Sequence, residues 1–236
     1  MGGLGPGYED YMILRLANVL KECDIIIGYK KYINLLNKDL LDSKIIKSFS
    51  MRQEVQRADC AIEEALKGSN VAVISSGDPV IYGMAGLVLD KALKHDIEVE
   101  IIPGITAALS ASALLGSPLT LDFAVISLSN LLVPWEQIIY RMENMLKADI
   151  VLAVYNPSST KREKEFLHAL EIIEKYRNRN TPVGMVRNAY RDGQEIKIMN
   201  LYELKNYKPD MNTIILIGNS QTRIIKNKMI NPRGYK

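Results

Sequence analysis

The amino-acid sequence predicts an α/β protein of two domains, the first with a mostly parallel sheet and the second with a mixed sheet. Three observations support this fold class. Apolar runs alternate with amphipathic helical segments through the first half of the chain, which is typical of βαβ units. Two of the runs end in small-residue turns, Ser76-Gly77-Asp78-Pro79 and Pro103-Gly104. In the second half, a turn at Asp192-Gly193 joins two strand-like runs and indicates antiparallel pairing.

The first domain is predicted to comprise residues 1–115, with a cleft for cofactor and substrate between it and the second domain. Its elements follow from the spacing of apolar residues. Helical spacing predicts helices over 8–20, 50–66, 82–94 and 105–115, and short apolar runs predict strands over 24–28, 71–75 and 98–102. The Gly116-Ser117-Pro118-Leu119 break is interpreted as the linker to the next domain.

The second domain is predicted over residues 116–236. Strands are expected over 123–128, 150–155, 183–187, 195–199 and 213–217. Helices are expected over 134–146, which has a proline in its first turn, and over 161–176.

Two local motifs admit structural as well as ligand-binding interpretations. The segment Gly3-Leu4-Gly5-Pro6-Gly7 resembles a glycine-rich loop that lets the backbone approach a ligand, but it could equally be a flexible tail. Asp78 could be an N-cap, with Pro79 as the first residue of a helix. The loops after 71–75 and 98–102 should nevertheless meet at one sheet edge, where ligands of parallel sheets bind.

Composition narrows the class of protein. A chain of 236 residues with 47% apolar residues can form packed cores without disulfides. Its only cysteines and histidines, Cys23, Cys60, His95 and His168, do not form a metal-ligand motif, so no resident metal is expected. A net charge of +3 gives no reason to expect nucleic acid as a partner. No leader-like tract or apolar run of about 18 residues is present, so a soluble cytoplasmic protein without membrane contact is expected.

The motifs around 71–83 and 102–108 resemble those of the S-adenosylmethionine-dependent tetrapyrrole (corrin and porphyrin) methylases. The resemblance covers nearly the whole chain and implies a homodimer with S-adenosylmethionine as co-substrate. In this family the glycine-rich loop follows a first β-strand, and because only Met1 and Gly2 precede the loop here, that strand is expected to be missing. The cofactor-binding residues that the resemblance implies are Pro6, Ser76, Gly77, Asp78, Ile81, Thr106, Ala107 and Asn156.

Motifs in the second half narrow the resemblance further. They include 155–162, 187–193 and the tail Pro232-Arg233-Gly234-Tyr235. They are similar to those of the family members that methylate C-17 of cobalt-precorrin-3 or precorrin-3B in cobalamin synthesis and contract the ring. Asn130 and Val133 depart from the aspartate and threonine that are usual there, so Asn130 is not expected to transfer protons.

Ring contraction needs proton transfer, for which polar side chains at strand ends are candidates. Ser129 and Tyr155 are the candidate catalytic residues, with structural hydrogen bonds as the alternative. The substrate is a tetrapyrrole rimmed by carboxylates, so basic side chains could bind it. The candidates are Arg187, Arg191, Lys161 and Arg162, and the alternative for all four is a solvated charged face.

Two other functions remain open from the sequence. One is methylation of another tetrapyrrole carbon, or of a protein as in diphthine synthase. The other is a catalytically idle corrinoid-binding protein, which the apparently missing strand suggests. Lysine, isoleucine and asparagine usage, together with the absence of residues suited to oxygen chemistry, leans slightly towards a cobalt-bearing substrate.

Overall fold

The computed structural model describes residues 1–159 and 162–234, and it divides into two compact units, Met1–Ala107 and Ala108–Lys236. The boundary predicted from the sequence, after residue 115, differs from this division by most of the helix Ala107–Leu115. The domain boundary and the cleft stay predictions.

The first unit has a parallel four-stranded sheet in the order β1-β4-β2-β3. Its strands are β1 (Gly2–Gly3), β2 (Ile25–Tyr29), β3 (Ile45–Phe49) and β4 (Val71–Ser75). Its helices are α1 (Leu14–Glu22), α2 (Lys30–Ile33), α3 (Lys38–Leu41), α4 (Glu54–Leu66) and α5 (Ala85–Leu93), with a 3-10 turn at Glu9–Tyr11. Helix α6 (Ala107–Leu115) begins at the last residue of the unit.

Both faces of this sheet are covered, as the near-continuous apolar strands predict. Because side chains alternate along a strand, Ile26 and Ile74 pack on one face with residues of α1, α2 and α3, and Ile25 and Val73 pack on the other with residues of α4 and α5. The parallel sheet predicted for the first domain is therefore confirmed.

The expectation that the first strand is missing is wrong. Gly2 and Gly3 pair in parallel with Ile74 and Ser75, so a strand is present, although it has only two residues. The strand predicted over 98–102 does not form, because only Ile102 has a ladder neighbour, through its bridge to Gly2. A strand is defined by hydrogen bonds to a neighbour, and β1 is too short to supply them over 98–101.

Three helices begin at least three residues later than predicted, and one of them is α4, which begins at Glu54 instead of residue 50. The helix predicted over 8–20 is a 3-10 turn followed by α1, which begins at Leu14. The helix expected directly after Asp78 and Pro79 begins only at Ala85, because residues 79–84 form bends instead of helical turns. Asp78 is therefore not the N-cap of α5.

The second unit has a mixed five-stranded sheet, β6-β7-β10-β8-β9, and a small sheet, β11-β12-β5. Only β6 and β7 are parallel in the larger sheet, which confirms the predicted mixed sheet. The strands are β5 (Gly116–Ser117), β6 (Phe123–Ser127), β7 (Val151–Tyr155), β8 (Pro182–Arg187), β9 (Glu195–Asn200), β10 (Thr213–Ile217), β11 (Arg223–Ile225) and β12 (Lys228–Ile230). The helices are α7 (Trp135–Lys147), α8 (Glu163–Tyr176) and α9 (Leu201–Leu204).

The core of the second unit lies between the larger sheet and helices α7 and α8. Met142 and Leu146 of α7 and Ile173 of α8 pack against Leu152 and Ile215 of the sheet. This packing fixes the carboxyl ends of β6 and β7, from which the polar residues discussed below extend. Among the described residues, no helix is long and apolar enough to cross a membrane.

Candidate functional site

Three loops of the first unit meet at the carboxyl ends of β1 and β4. The Gly3 amide donates to the Ile102 carbonyl at 3.0 Å, and the Leu4 amide donates to the Ser75 carbonyl at 2.8 Å. Gly5 and Gly77 exchange two backbone hydrogen bonds, at 3.1 and 2.8 Å. Both glycines have positive φ, +71° and +64°, which other residues adopt only with strain. The predicted meeting of the loops at one sheet edge is thus observed.

Glycine allows all three of these loops to touch. A Cβ added to Gly104 would lie 2.1 Å from the Gly77 oxygen and 2.7 Å from the Gly3 oxygen. A Cβ added to Gly3 would lie 2.5 Å from the same Gly77 oxygen. These approaches leave no room for a side chain, so Gly3, Gly77 and Gly104 form one tightly packed backbone junction.

Asp78 joins the loop after β4 to the loop before α6. One carboxylate oxygen, Oδ1, accepts the amides of Val80 and Ile81 at 2.8 and 3.1 Å. The other, Oδ2, accepts the amide of Gly104 at 3.0 Å. Hydrogen bonds to an ionised acceptor are stronger than neutral ones, so Asp78 fixes both loops. The sequence identified Asp78, but its bond to Gly104 depends on folding and has no local signature.

Most of the predicted cofactor residues surround this junction. Pro6 is buried, Ser76, Thr106 and Ala107 are half-buried, and Ile81 is exposed. A Cβ added to Gly77 would lie 3.9 Å from the Thr106 Cα atom and 4.0 Å from the Ala107 nitrogen, so the two loops run side by side. Asn156 is the exception, because it belongs to the second unit.

The polar groups at this sheet edge fit S-adenosylmethionine. Small residues bring backbone amides and carbonyls, and two hydroxyls, Ser76 and Thr106, to half-buried positions at the sheet edge. Such groups suit the amino acid and ribose ends of the ligand, and a polar sulfonium compound needs no metal to be held. Within the described ranges, no group of His, Cys, Asp and Glu could hold a metal ion.

The second unit has its own polar cluster, at the carboxyl ends of β6 and β7. The Ser127 hydroxyl accepts the Asn156 side-chain amide at 3.0 Å and the Ser129 backbone amide at 3.2 Å. Asn156 has φ of +49°, a left-handed conformation that asparagine tolerates well. Ser127 was missed as a site residue, because the sequence predicts a strand that continues to residue 128, whereas Ser127 is the last residue of β6 in the structure.

Arg162 is placed where it supports the cluster. Only 7% of this residue is exposed, and its Nη1 atom donates to the carbonyls of Leu128 at 2.9 Å and Asn156 at 3.2 Å. Burial lowers the pKa of its guanidinium, and nearby Glu165 partly offsets this shift. The Nη1 atom thus gives Arg162 a structural role, and its binding of substrate stays a prediction.

Replacing Arg162 by methionine should therefore act on stability. We expect the free energy of unfolding to fall by about 3 kcal/mol, since two carbonyls lose a charged donor. Denaturant unfolding measures this loss, with exposed Arg141→Met as the control. A stable Arg162→Met protein with a much higher tetrapyrrole KM would instead indicate that Arg162 binds the substrate.

Tyr155, the last residue of β7, bonds to the first turn of α6. Its hydroxyl accepts the Ala108 amide at 2.9 Å, satisfying one of the donors that a helix start leaves open. Ala108 directly follows Ala107, a predicted cofactor residue, in the chain. The structural alternative for Tyr155 is therefore observed. Ser129 is half-buried, and its hydroxyl makes no hydrogen bond within residues 1–159 and 162–234.

The other predicted substrate residues differ in their surroundings. Arg187, at the end of β8, donates to Asp210 Oδ2 at 2.9 Å and to Glu195 Oε1 at 3.3 Å. Burial raises the pKa of Asp210, but hydrogen bonds from Arg187 and Thr213 outweigh it, so the pKa lies below its usual value. Arg191 lies in the β8–β9 turn and is half-buried. Lys161 lies outside the described residues.

Comparison with known proteins supplies a chemical context for the loop junction of the first unit and for the polar cluster of the second. A family model described as "Tetrapyrrole (Corrin/Porphyrin) Methylases" matches residues 3–205. The chain is 45% identical over 235 residues to the cobalamin biosynthesis protein CbiHC of Archaeoglobus fulgidus, which covers 99% of this chain and 52% of that protein. The chain thus spans about half the length of that relative.

Two further similarities extend over nearly the whole of both chains. The chain is 42% identical to the probable cobalt-factor III C(17)-methyltransferase of Methanocaldococcus jannaschii, which covers 99% of this chain and 96% of that one. The crystal structure of the methyltransferase CobJ matches with a TM-score of 0.90 and 33% identity, covering 98% of each chain. The resemblance stated from the motifs and the fold class are both confirmed.

Proposed function

Because this chain belongs to the tetrapyrrole (corrin/porphyrin) methylase family, we propose that it is an S-adenosylmethionine-dependent C-methyltransferase of cobalamin synthesis. It methylates C-17 of cobalt-precorrin-3 or precorrin-3B, and the ring contracts. The observation that supports this most directly is the 42% identity, over nearly the whole of both chains, to the probable cobalt-factor III C(17)-methyltransferase. The junction of Gly3, Gly77 and Gly104, joined by Asp78, supplies a ligand-binding edge of a parallel sheet that suits this function.

The residues proposed to bind the co-substrate are Pro6, Ser76, Gly77, Asp78, Ile81, Thr106, Ala107 and Asn156. When bound, S-adenosylmethionine supplies an electrophilic methyl group. Methyl transfer to a ring carbon requires alignment and exclusion of water more than a strong base. The junction would provide alignment, because Asp78 joins the loop after β4 to the loop before α6.

Ring contraction also needs proton transfer, and we propose Ser129 as one group that provides it. Its hydroxyl makes no hydrogen bond within the described ranges. We propose Tyr155 as a second polar group for this proton transfer. Its observed bond to Ala108 also gives it a positioning role at the start of α6.

Replacing Tyr155 by phenylalanine removes this bond and retains the ring. We expect kcat/KM to fall about fivefold, the equivalent of one neutral hydrogen bond. Steady-state kinetics with a Ser129→Ala variant in parallel checks this. A loss of about 100-fold or more in kcat for Tyr155→Phe would instead make the hydroxyl a proton-transfer group.

Arg187 and Arg191 are proposed to bind the carboxylates of the substrate, which would compete with Asp210 and Glu195 for Arg187. Arg187→Ala should raise the tetrapyrrole KM about tenfold with little change in kcat, because it removes binding common to ground and transition states. Asp210→Asn is the matched control, since it breaks the same ion pair but leaves the guanidinium in place. Equal KM values for both variants would remove Arg187 from the substrate site.

The resemblance also leads us to propose a homodimer that works in the cytoplasm, and light scattering of the purified protein tests the dimer. The function itself is tested by measuring S-adenosylhomocysteine release, without oxygen, with a panel of tetrapyrroles. Release with cobalt-precorrin-3 is expected. Release only with a different tetrapyrrole would favour methylation of another carbon, and binding without release would favour an idle corrinoid-binding protein.

A further inference from the structure

Arg57 lies at the same edge of the first sheet as the loop junction, towards the end of the edge formed by β3. It belongs to the first turn of α4, and its Nη2 atom donates at 3.3 Å to the carbonyl of Ser50, which directly follows β3. Its Nη1 atom donates at 3.4 Å to the sulfur of Met84, which directly precedes α5. In the strand order β1-β4-β2-β3, β3 is two strand spacings from β4, about 9.6 Å. Arg57 therefore lies beside the proposed co-substrate loops, on the side of β3.

The guanidinium of Arg57 is buried but poorly satisfied. Only 4% of the residue is exposed, and burial lowers the pKa of the guanidinium, a shift that Glu54 partly offsets. The Nε atom has no acceptor among the described residues, and the thioether that Nη1 meets is a weak acceptor. The Glu54 carboxylate lies 4.0 Å from Nη2, which is beyond hydrogen-bond distance. Because a buried charge is costly without good partners, an additional acceptor would stabilise this group.

A second buried arginine, Arg177 in the second unit, shows the contrast. It is 7% exposed, and its Nε, Nη1 and Nη2 atoms donate to the carbonyls of Gly218, Leu146 and Ile150 at 3.0, 2.8 and 2.9 Å. All three of its nitrogens thus have a carbonyl acceptor, whereas within the described ranges only Nη2 of Arg57 has one. Folding alone satisfies Arg177. The unsatisfied guanidinium of Arg57 calls for a functional explanation.

The acceptor that suits this guanidinium is a carboxylate. The Nε and Nη2 atoms of an arginine form a planar fork that matches the two oxygens of a carboxylate. Arg15 and Glu100 show this geometry in the same chain, with Nε to Oε1 at 2.8 Å and Nη2 to Oε2 at 2.6 Å. In Arg57 the same fork has only the 3.3 Å bond from Nη2 to Ser50. Ser50 and Glu54 are both exposed, so a ligand can approach the Nη2 atom from their side.

We propose that Arg57 binds a carboxylate of the tetrapyrrole substrate through the fork of its Nε and Nη2 atoms. This assignment rests on the proposed function and adds to it a substrate-binding residue in the first unit. The loop junction at β1 and β4 holds the methyl donor, and Arg57, nearer to β3, holds the carboxylate rim of the macrocycle. The substrate carboxylate displaces the long bond to Ser50 and gives Nε the acceptor that it lacks.

The test replaces Arg57 by methionine, which keeps a long unbranched side chain and removes the charge. Affinity for cobalt-precorrin-3 is measured without oxygen by absorbance titration in the presence of S-adenosylhomocysteine. We expect the tetrapyrrole Kd to rise about tenfold or more, as for the loss of a hydrogen-bonded charge pair. The Tm should not fall, because the variant removes a buried charge that has poor partners. Arg57→Lys keeps the charge but lacks the planar fork, so its Kd should lie between the two.

Arg52→Met is the matched control, because Arg52 is an exposed arginine of the loop before α4 and its replacement changes the net charge equally. Its tetrapyrrole Kd should stay within about twofold of the native value. Equal Kd values for Arg57→Met and the native chain would overturn the assignment alone. A rise of the same size in the S-adenosylmethionine Kd would also overturn it, because the variant would then disturb the co-substrate loops. A native chain that binds no tetrapyrrole would overturn the proposed function and the assignment together.

Discussion

Replacing Gly104 by alanine should abolish most of the activity and destabilise the first unit. The added Cβ would lie 2.1 Å from the Gly77 oxygen and within 2.8 Å of the Gly3 carbonyl group, all backbone atoms that have no side-chain freedom to move. Overpacking of this kind costs about 3 kcal/mol of unfolding free energy. If these loops bind the cofactor as proposed, a displacement of about 1 Å lowers kcat/KM on the order of 100-fold.

The control is Gly86→Ala in α5, where an added Cβ meets no atom within 4 Å. Because alanine favours helix over glycine, this variant should gain up to about 1 kcal/mol and retain full activity. Thermal unfolding measures the change in stability of each variant, and calorimetric titration with S-adenosylmethionine measures the change in its affinity for the co-substrate. A Gly104→Ala protein that binds the co-substrate with unchanged affinity would show that the glycine junction is not part of the co-substrate site.

Replacing Asp78 by alanine should weaken co-substrate binding as well as the fold. The variant loses three hydrogen bonds to an ionised acceptor and leaves the partly buried Gly104 amide without its partner. We expect a loss of about 2–3 kcal/mol in unfolding free energy and a rise in the S-adenosylmethionine Kd of about tenfold.

Asp90→Ala is the matched control, because Asp90 is an exposed aspartate whose only ion pair is with Lys94 on the same helix within the described residues. It should leave the Kd and the Tm unchanged. A destabilised Asp78→Ala protein with normal Kd would restrict Asp78 to holding the loops together. Asp78→Asn, which retains one acceptor oxygen, should fall between alanine and the native residue.

Local patterns were sufficient to predict much of the sheet edge at which we propose that the cofactor binds. Val71–Ser75 is an unbroken apolar run followed by small residues, and the structure has the strand at those residues. The loops at 76–78 and 103–107 were found for the same reason. Parallel pairing then follows from the alternation of strands and helices, which is encoded within short windows of sequence.

The parts that were wrong or missed depend on residues far apart in the chain. Residues 98–102 have the alternating pattern of a strand. A strand also needs hydrogen bonds to a neighbouring strand, and the residues that lie beside this segment are Met1 and Gly2, far away in the sequence. Arg162 was expected at an exposed helix start, whereas folding brings the Leu128 carbonyl to its guanidinium. The β11–β12 hairpin and β3 were likewise not anticipated, because their runs of apolar residues are short and interrupted by charge.

The position of the transferred methyl group tests the central claim most directly. The purified chain is incubated without oxygen with cobalt-precorrin-3 and S-adenosylmethionine labelled isotopically in its methyl group, and the product is analysed by NMR and mass spectrometry. The proposed function predicts one labelled methyl at C-17 of a contracted ring, with one S-adenosylhomocysteine released for each product. A folded protein that binds S-adenosylmethionine but labels a different carbon, or none, would contradict it.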